Sequence, residues 1–151
     1  DFLRIDFPRV PFTADAGIFH ELAGLGERLA ELHLLRSPEL DPPAARFEGQ
    51  GDNRVARSRS QGFRYEPKEE RVYINTAQYF VPVPADVWEY RIGGYQVCEK
   101  WLKDRKDRRL DLEDIRTYCR IVTALQRTMA IQEEIDALYP GVEEKLLTSE
   151  F

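Results

Sequence analysis

The chain of 151 residues is poor in the side chains that most often carry chemistry, holding two cysteines and two histidines. Cys98 and Cys119 are too few for a disulfide scaffold, and both fall inside helical patterns where a small apolar residue would serve equally well. Their scarcity fits a reducing, cytoplasmic setting. No Cys-x-x-Cys or His-Glu-x-x-His spacing occurs, so no zinc site is expected, and His33 between Leu32 and Leu34 reads as a hydrogen-bonded histidine at the edge of a core. The sequence has no glycine-rich phosphate loop, no Gly-x-Ser-x-Gly elbow, and no histidine near Cys98 to make it a nucleophile. Glu66-Pro67-Lys68 has the Glu-x-Lys form of half a metal-nuclease site, but the central proline and the lack of a preceding Pro-Asp pair make it a chance match. No run approaches the roughly 20 apolar residues that span a bilayer, and no basic-then-apolar leader opens the chain. Catalysis, metal binding, membrane insertion and secretion are therefore not expected.

What is present is a composition of 42% hydrophobic and 32% charged residues, enough for one compact soluble domain over residues 1–151. The first residue is Asp and the opening stretch reads like the middle of something, so a segment of a longer protein is expected. The net charge of −5 conceals an uneven distribution. Residues 1–50 hold 5 basic and 9 acidic side chains, residues 51–109 hold 13 and 9, and residues 110–151 hold 4 and 9. The excess of positive charge lies in the middle third, in two runs: Arg54, Arg57, Arg59 and Arg64, then Lys100, Lys103, Arg105, Lys106, Arg108 and Arg109. Runs of this kind are either solvated surface or the footprint of a polyanion.

The patterning predicts an α+β fold: two long helices flanking a small antiparallel sheet, with a short helix after a Gly-Gly turn. Pro8 and Pro11 make residues 1–12 an extended arm, with Phe2, Ile5, Phe7, Val10 and Phe12 packed inward. Thr13 is the expected N-cap of a helix over 14–35, in which Phe19, Leu22, Leu25, Leu29, Leu32 and Leu35 recur at three- and four-residue intervals. Gly24 and Gly26 inside it suggest that another backbone comes close. Residues 45–92 read as β-rich, with short runs at 46–48, 63–65 and 71–75, and a helical turn leading into a strand over 86–92. A short helix is expected over 95–106. Asp111 is placed to cap a long helix over 111–139, stopped by Pro140-Gly141 and packed antiparallel to the first one.

The start of the short helix offers a second hint of an anion partner. Backbone N–H groups opened by Gly93, Gly94 and Tyr95 suit a phosphate, and Gln96 carries an amide able to pair with an adenine edge. Gln96, Lys100 and Lys103 share one face of that helix, opposite Cys98, Trp101 and Leu102. The candidate DNA-binding residues are thus Arg54, Arg57, Arg59, Gly93, Gly94, Tyr95, Gln96, Lys100, Lys103, Arg105, Lys106 and Arg108. The competing expectation is a docking module that uses the apolar stripes of the terminal helices. Basic groups converging on one face favour the first reading, and an exposed apolar patch with scattered charge favours the second.

Several runs carry a family resemblance: Asp6-Phe7-Pro8-Arg9 with Pro11-Phe12, Leu32-His33-Leu34-Leu35, Gly51-Asp52-Asn53, Val72-Tyr73-Ile74-Asn75 and Gln78-Tyr79-Phe80. With Ile92-Gly93-Gly94-Tyr95-Gln96-Val97 and Lys100-Trp101-Leu102-Lys103-Asp104-Arg105, the sequence resembles the C-terminal specificity region of type ISP restriction-modification enzymes and of related large adenine-specific DNA methyltransferases, including those of phage defence. The resemblance covers nearly all of residues 1–140. It implies a large polypeptide with an ATP-driven, Mg-dependent motor, a methyltransferase domain using S-adenosylmethionine, possible nuclease activity, and a terminal domain that reads double-stranded DNA. This segment contains no Asn-Pro-Pro-Tyr, Walker or nuclease motif. It is therefore expected to bind DNA and contact the methyltransferase domain of the same chain, without a cofactor of its own.

Overall fold

The structure, a computed structural model, describes residues 13–144. The expected arm over 1–12 lies outside the described residues. The architecture is α+β: helices α1 (Ala16–His33), α2 (Ala85–Glu89), α3 (Val97–Lys103) and α4 (Leu112–Glu144), with strands β1 (Arg46–Glu48), β2 (Arg64–Glu66), β3 (Arg71–Tyr73), β4 (Tyr79–Val81), β5 (Arg91–Ile92) and β6 (Tyr95–Gln96). The chain divides into two compact units, one of the described residues up to Ala30 and from Met129 onward, the other Glu31–Thr128.

In the first unit the two long helices run antiparallel, since Arg28 Nη1 lies 3.9 Å from Glu134 Oε2, and a Cβ on Gly141 would stand 2.7 Å from Ile18 Cδ1. The close approach expected at Gly24 and Gly26 is not there. Both are exposed, and a Cβ on either meets nothing within 4 Å. The N-cap is Asp15 rather than Thr13: Asp15 Oδ1 accepts from Gly17 N and Ile18 N at 2.9 and 3.2 Å, satisfying two donors that the first turn leaves open. Pro140 does not stop α4, which continues to Glu144. One missing donor and one crowded carbonyl are tolerated within a helix of 33 residues, and the glycine after the proline serves helix packing rather than termination.

The second unit holds the sheet, in the order β1-β4-β3-β2, antiparallel throughout. Alternation along each strand puts Phe47, Tyr65, Val72 and Phe80 on one face, and Glu48, Tyr73 and Tyr79 on the other. The inner face packs into an aromatic cluster. Phe80 lies 4.8 Å from Phe47 and 4.3 Å from Tyr118 of α4, and Tyr118 lies 5.2 Å from Trp101 of α3. Tyr118 is fully buried, its hydroxyl donating to Cys98 O at 3.2 Å, so one residue ties sheet, α3 and α4 together. Asp111 caps α4 in a reciprocal box: Asp114 N donates to Asp111 Oδ1, and Asp111 N donates to Asp114 Oδ2.

Two local expectations change in this unit. α1 ends at His33, which is exposed rather than at a core edge. Leu35 lies beyond the helix at φ 54°, where Arg36 N donates to Glu31 O and Leu35 N to Leu32 O, the pairing of a Schellman ending. Gly93-Gly94 opens no helix. It is the two-residue turn of the β5–β6 hairpin, and the short helix covers 97–103 rather than 95–106 because Tyr95 and Gln96 pair back onto Ile92 and Arg91.

Candidate nucleic-acid interface

The two basic runs are far apart in sequence and adjacent in space. Val55 N donates to Arg108 O at 3.0 Å, Asp107 N to Val55 O at 2.8 Å and Leu110 N to Asn53 O at 2.8 Å, with Arg54 and Arg109 as bridge partners. Side chains reinforce the seam: Arg54 Nη1 donates to Asp107 O at 2.9 Å, and Arg57 pairs with the Asp107 carboxylate. The first run is held from behind by a buried amide. Gln78 Oε1 accepts from Asn53 N and Asn75 Nδ2 at 2.8 and 3.0 Å, while Gln78 Nε2 donates to Asn53 Oδ1 at 2.7 Å. Asn75 Nδ2 also donates to Arg54 O at 3.1 Å. The Gly51-Asp52-Asn53 and Asn75 to Gln78 segments thus form a clasp that aims the first run at the second.

The seam opens onto a cleft of about 490 Å³ lined by Arg57, Ser58, Arg59, Phe63, Arg64, Tyr65, Trp88, Glu99, Lys103 and Lys106. Five cations face one carboxylate, and Glu99 is already paired with Lys103. Arg59 opens a short 3-10 turn closed by Gly62 at φ +105°, where a Cβ would stand 2.4 Å from Thr76 N; only glycine allows the chain to turn there. Tyr65 and Trp88 stack in the cleft at 4.9 Å and 17°. The Tyr65 hydroxyl donates to Val83 O at 2.7 Å, and burial with neighbouring carboxylates pushes its pKa up to about 12, so it presents no negative charge at neutral pH. Arg59 and Lys106 have no carboxylate partner among the described residues.

A second cleft of about 360 Å³ adjoins the first through Glu99 and Lys103, and is completed by Arg91, Gly94, Tyr95, Gln96, Lys100 and Asp104. Lys100 Nζ sits 3.0 Å from both Asp104 carboxylate oxygens and 5.0 Å from the Tyr95 ring. Gln96 differs from its expected placement: half-buried at the N-cap of α3, it donates through Nε2 to Trp88 O at 2.5 Å. Arg105 is stacked 3.6 Å over Trp101 and donates to its carbonyl at 2.9 Å, which makes it a brace of α3. Arg105, Arg108 and Arg109 line a third cleft of about 220 Å³ with Leu110, Asp111 and Asp114. Of the twelve candidate residues, Arg54 and Gly93 line none of these three clefts: Arg54 is spent on the seam itself, and Gly93 lies in the turn of the hairpin.

Among the described residues no group of three or more His, Cys, Asp or Glu could hold a metal ion, and no helix is long and apolar enough to cross a membrane. Both cysteines are buried free thiols, their pKa values pushed up by desolvation to about 12 for Cys98 and about 11 for Cys119.

A family model described as the type ISP C-terminal specificity domain matches residues 1–134. The chain belongs to that family. No curated protein and no solved structure matches the chain. The runs that carry the specificity-domain resemblance now have positions: Gly51-Asp52-Asn53 and Asn75 with Gln78 build the clasp, and the Gly-Gly-Tyr to Asp-Arg stretch builds the hairpin and α3.

Sequence reasoning missed Phe63, Tyr65, Trp88 and Arg91, which line the clefts of this specificity domain. A signal for the hairpin was available, since Gly-Gly between two short β-type pairs is the mark of a tight two-residue turn.

Proposed function

We propose that this specificity domain is a DNA target-recognition segment. Double-stranded DNA binds along the cationic cleft, and chemistry is left to a methyltransferase domain of the same polypeptide that uses S-adenosylmethionine, with ATP and Mg serving its motor. The observation that carries the reading is the convergence of two basic runs, about fifty residues apart, on one aromatic-floored cleft. Arg59 and Lys106 are free to meet phosphates. Arg57, Lys100 and Lys103 are engaged in solvent-accessible ion pairs, worth roughly 0–1 kcal/mol each, which a phosphate can displace, Lys100 also lying over the Tyr95 ring. Arg54 and Arg105, committed to backbone carbonyls, position the others.

The docking reading asks for apolar surface away from the charge. Ile92 and Tyr95, two of the large exposed hydrophobics, instead pair across a hairpin at the rim of a cationic cleft. Charge reversal tests the proposal. Arg59→Glu with Lys106→Glu abolishes binding to duplex DNA at moderate salt, whereas Arg127→Glu, on an exposed part of α4 that lines none of the three clefts, leaves it within a few fold. Equal effects from both would refute the cleft as the interface. The chain alone transfers no methyl group and hydrolyses no ATP; labelled methyl transfer by purified chain would contradict this.

A further inference from the structure

The β5–β6 hairpin holds residues that the fold itself does not explain. Ile92 and Tyr95 are 53% and 64% exposed. They pair directly across the ribbon, so their side chains leave the same face side by side. Of the two turn residues, Gly93 sits at φ +61°, a left-handed conformation that favours glycine. Gly94 does not: its φ is not positive, and a Cβ there would meet nothing within 4 Å. Nothing described in this chain requires Gly94 to lack a side chain, whereas a body approaching the turn from outside would.

The root of the hairpin is fixed, and at its exposed tip Arg91 Nη1 donates to Gly94 O at 3.3 Å. Gln96 Nε2 donates to Trp88 O at 2.5 Å and Val97 N to Tyr90 O at 3.2 Å, anchoring the ribbon beside the Tyr65–Trp88 stack. Lys100 Nζ lies 5.0 Å from the Tyr95 ring, and Arg91 and Lys103 line the same cleft, where Asp104 and Glu99 pair with Lys100 and Lys103. A narrow tip that presents one aliphatic and one aromatic side chain, with Lys100 over the aromatic ring and Arg91 and Lys103 in the adjoining cleft, is complementary to a stacked base step flanked by phosphates. Aliphatic side chains set this way enter grooves and part base steps, and aromatic faces stack on the bases exposed.

We propose that the Ile92-Gly93-Gly94-Tyr95 tip is a wedge that enters a groove of the bound duplex and unstacks one base step. The wedge rests on the duplex-DNA reading above and adds to it the element that touches bases. Gln96 then acts as the brace of the wedge.

The test uses the full chain, a pool of duplexes of randomised sequence, and permanganate oxidation of thymine, which reports unstacked bases. At saturating protein, wild type and Tyr95→Phe raise thymine oxidation. The Ile92→Ala/Tyr95→Ala double variant does not, and it binds about 5- to 150-fold more weakly, the loss of one stacked base. Its log–log salt slope is that of wild type, because no phosphate contact has been removed. Both side chains are exposed, so the double variant keeps the wild-type melting transition. A wild type that binds the pool and leaves thymine oxidation unchanged, or a double variant that matches wild type in both readouts, overturns the wedge and leaves the DNA reading standing. A wild type that does not bind the pool refutes the DNA reading, and the wedge with it.

Discussion

Gln78→Ala removes the centre of the clasp that holds the first basic run in place. The side chain is 2% exposed and makes four hydrogen bonds: it accepts from Asn53 N and Asn75 Nδ2, and donates to Asn53 Oδ1 and, at 3.4 Å, to Gly49 O. Gly49 is exposed and Asn75 half-buried with other partners, so both can turn to water. Asn53 is held at φ 61° with its amide facing the vacated site, and loses two bonds at about 1–1.5 kcal/mol each. With the lost methylene packing, the expected destabilisation is about 2–4 kcal/mol, a large part of the roughly 5–15 kcal/mol a domain commands. Urea unfolding should show a lower midpoint with the slope unchanged. Amide exchange should show early loss of protection at Val55, Asp107 and Leu110, whose bonds form the seam. Gly51 supplies a second lever, because a Cβ there would stand 2.6 Å from Gln78 Oε1. Gly51→Ala should destabilise on its own and cost almost nothing in the Gln78→Ala background, a coupling that a double-mutant cycle reads directly. A loss under about 0.5 kcal/mol with wild-type protection of the seam would refute the clasp.

Other outcomes follow from single contacts. Arg105→Ala should cost about 1–2 kcal/mol through its lost stacking and carbonyl bond at Trp101, while leaving the salt slope of DNA binding unchanged. Tyr118→Phe should cost about 1 kcal/mol for the bond to Cys98 O, and Tyr118→Ala about 3–5 kcal/mol because the aromatic cluster loses its hub; thermal melts separate the two. Cys98 and Cys119 should resist a thiol reagent in the native state at pH 8 and react on unfolding. Their raised pKa values favour the neutral thiols, so their contribution to stability is complete below the unfolded-state value near 9.0 and is lost as pH rises towards 11 and 12.

The secondary structure was legible where the periodicity is long. The α1 spacing from Leu22 through Leu32, the Asp111 cap and the stripe from Tyr118 through Leu125 emerged as read, because capping and helical amphipathicity act locally, whereas Phe19, read as part of the α1 stripe, is 47% exposed. Helix ends were less legible. Leu35 adopts a left-handed conformation that glycine usually takes, and Arg120 Nη2, from far along the chain, donates to its carbonyl at 2.8 Å. The convergence of the basic runs was posed by the sequence as one of two outcomes, since the seam between 53–55 and 107–110 depends on a buried amide network with no periodic signature. Gln78 reads as an ordinary polar residue until its partners are seen. The Gly-Gly pair was misplaced onto a helix start because the apolar pattern of α3 begins immediately after it, and the two-residue strands on either side are too short to show alternation.

The salt dependence of duplex binding tests the central claim most directly. Phosphate contacts release counterions, so each contact contributes about 0.9 to the slope of log K against log salt concentration on B-form DNA. If Arg59 and Lys106 meet phosphates in the cleft, the Arg59→Ala/Lys106→Ala variant should bind duplex DNA with a slope shallower than wild type by about 1.8. A variant slope equal to that of wild type would contradict the claim that duplex DNA lies in the cleft where the two basic runs converge.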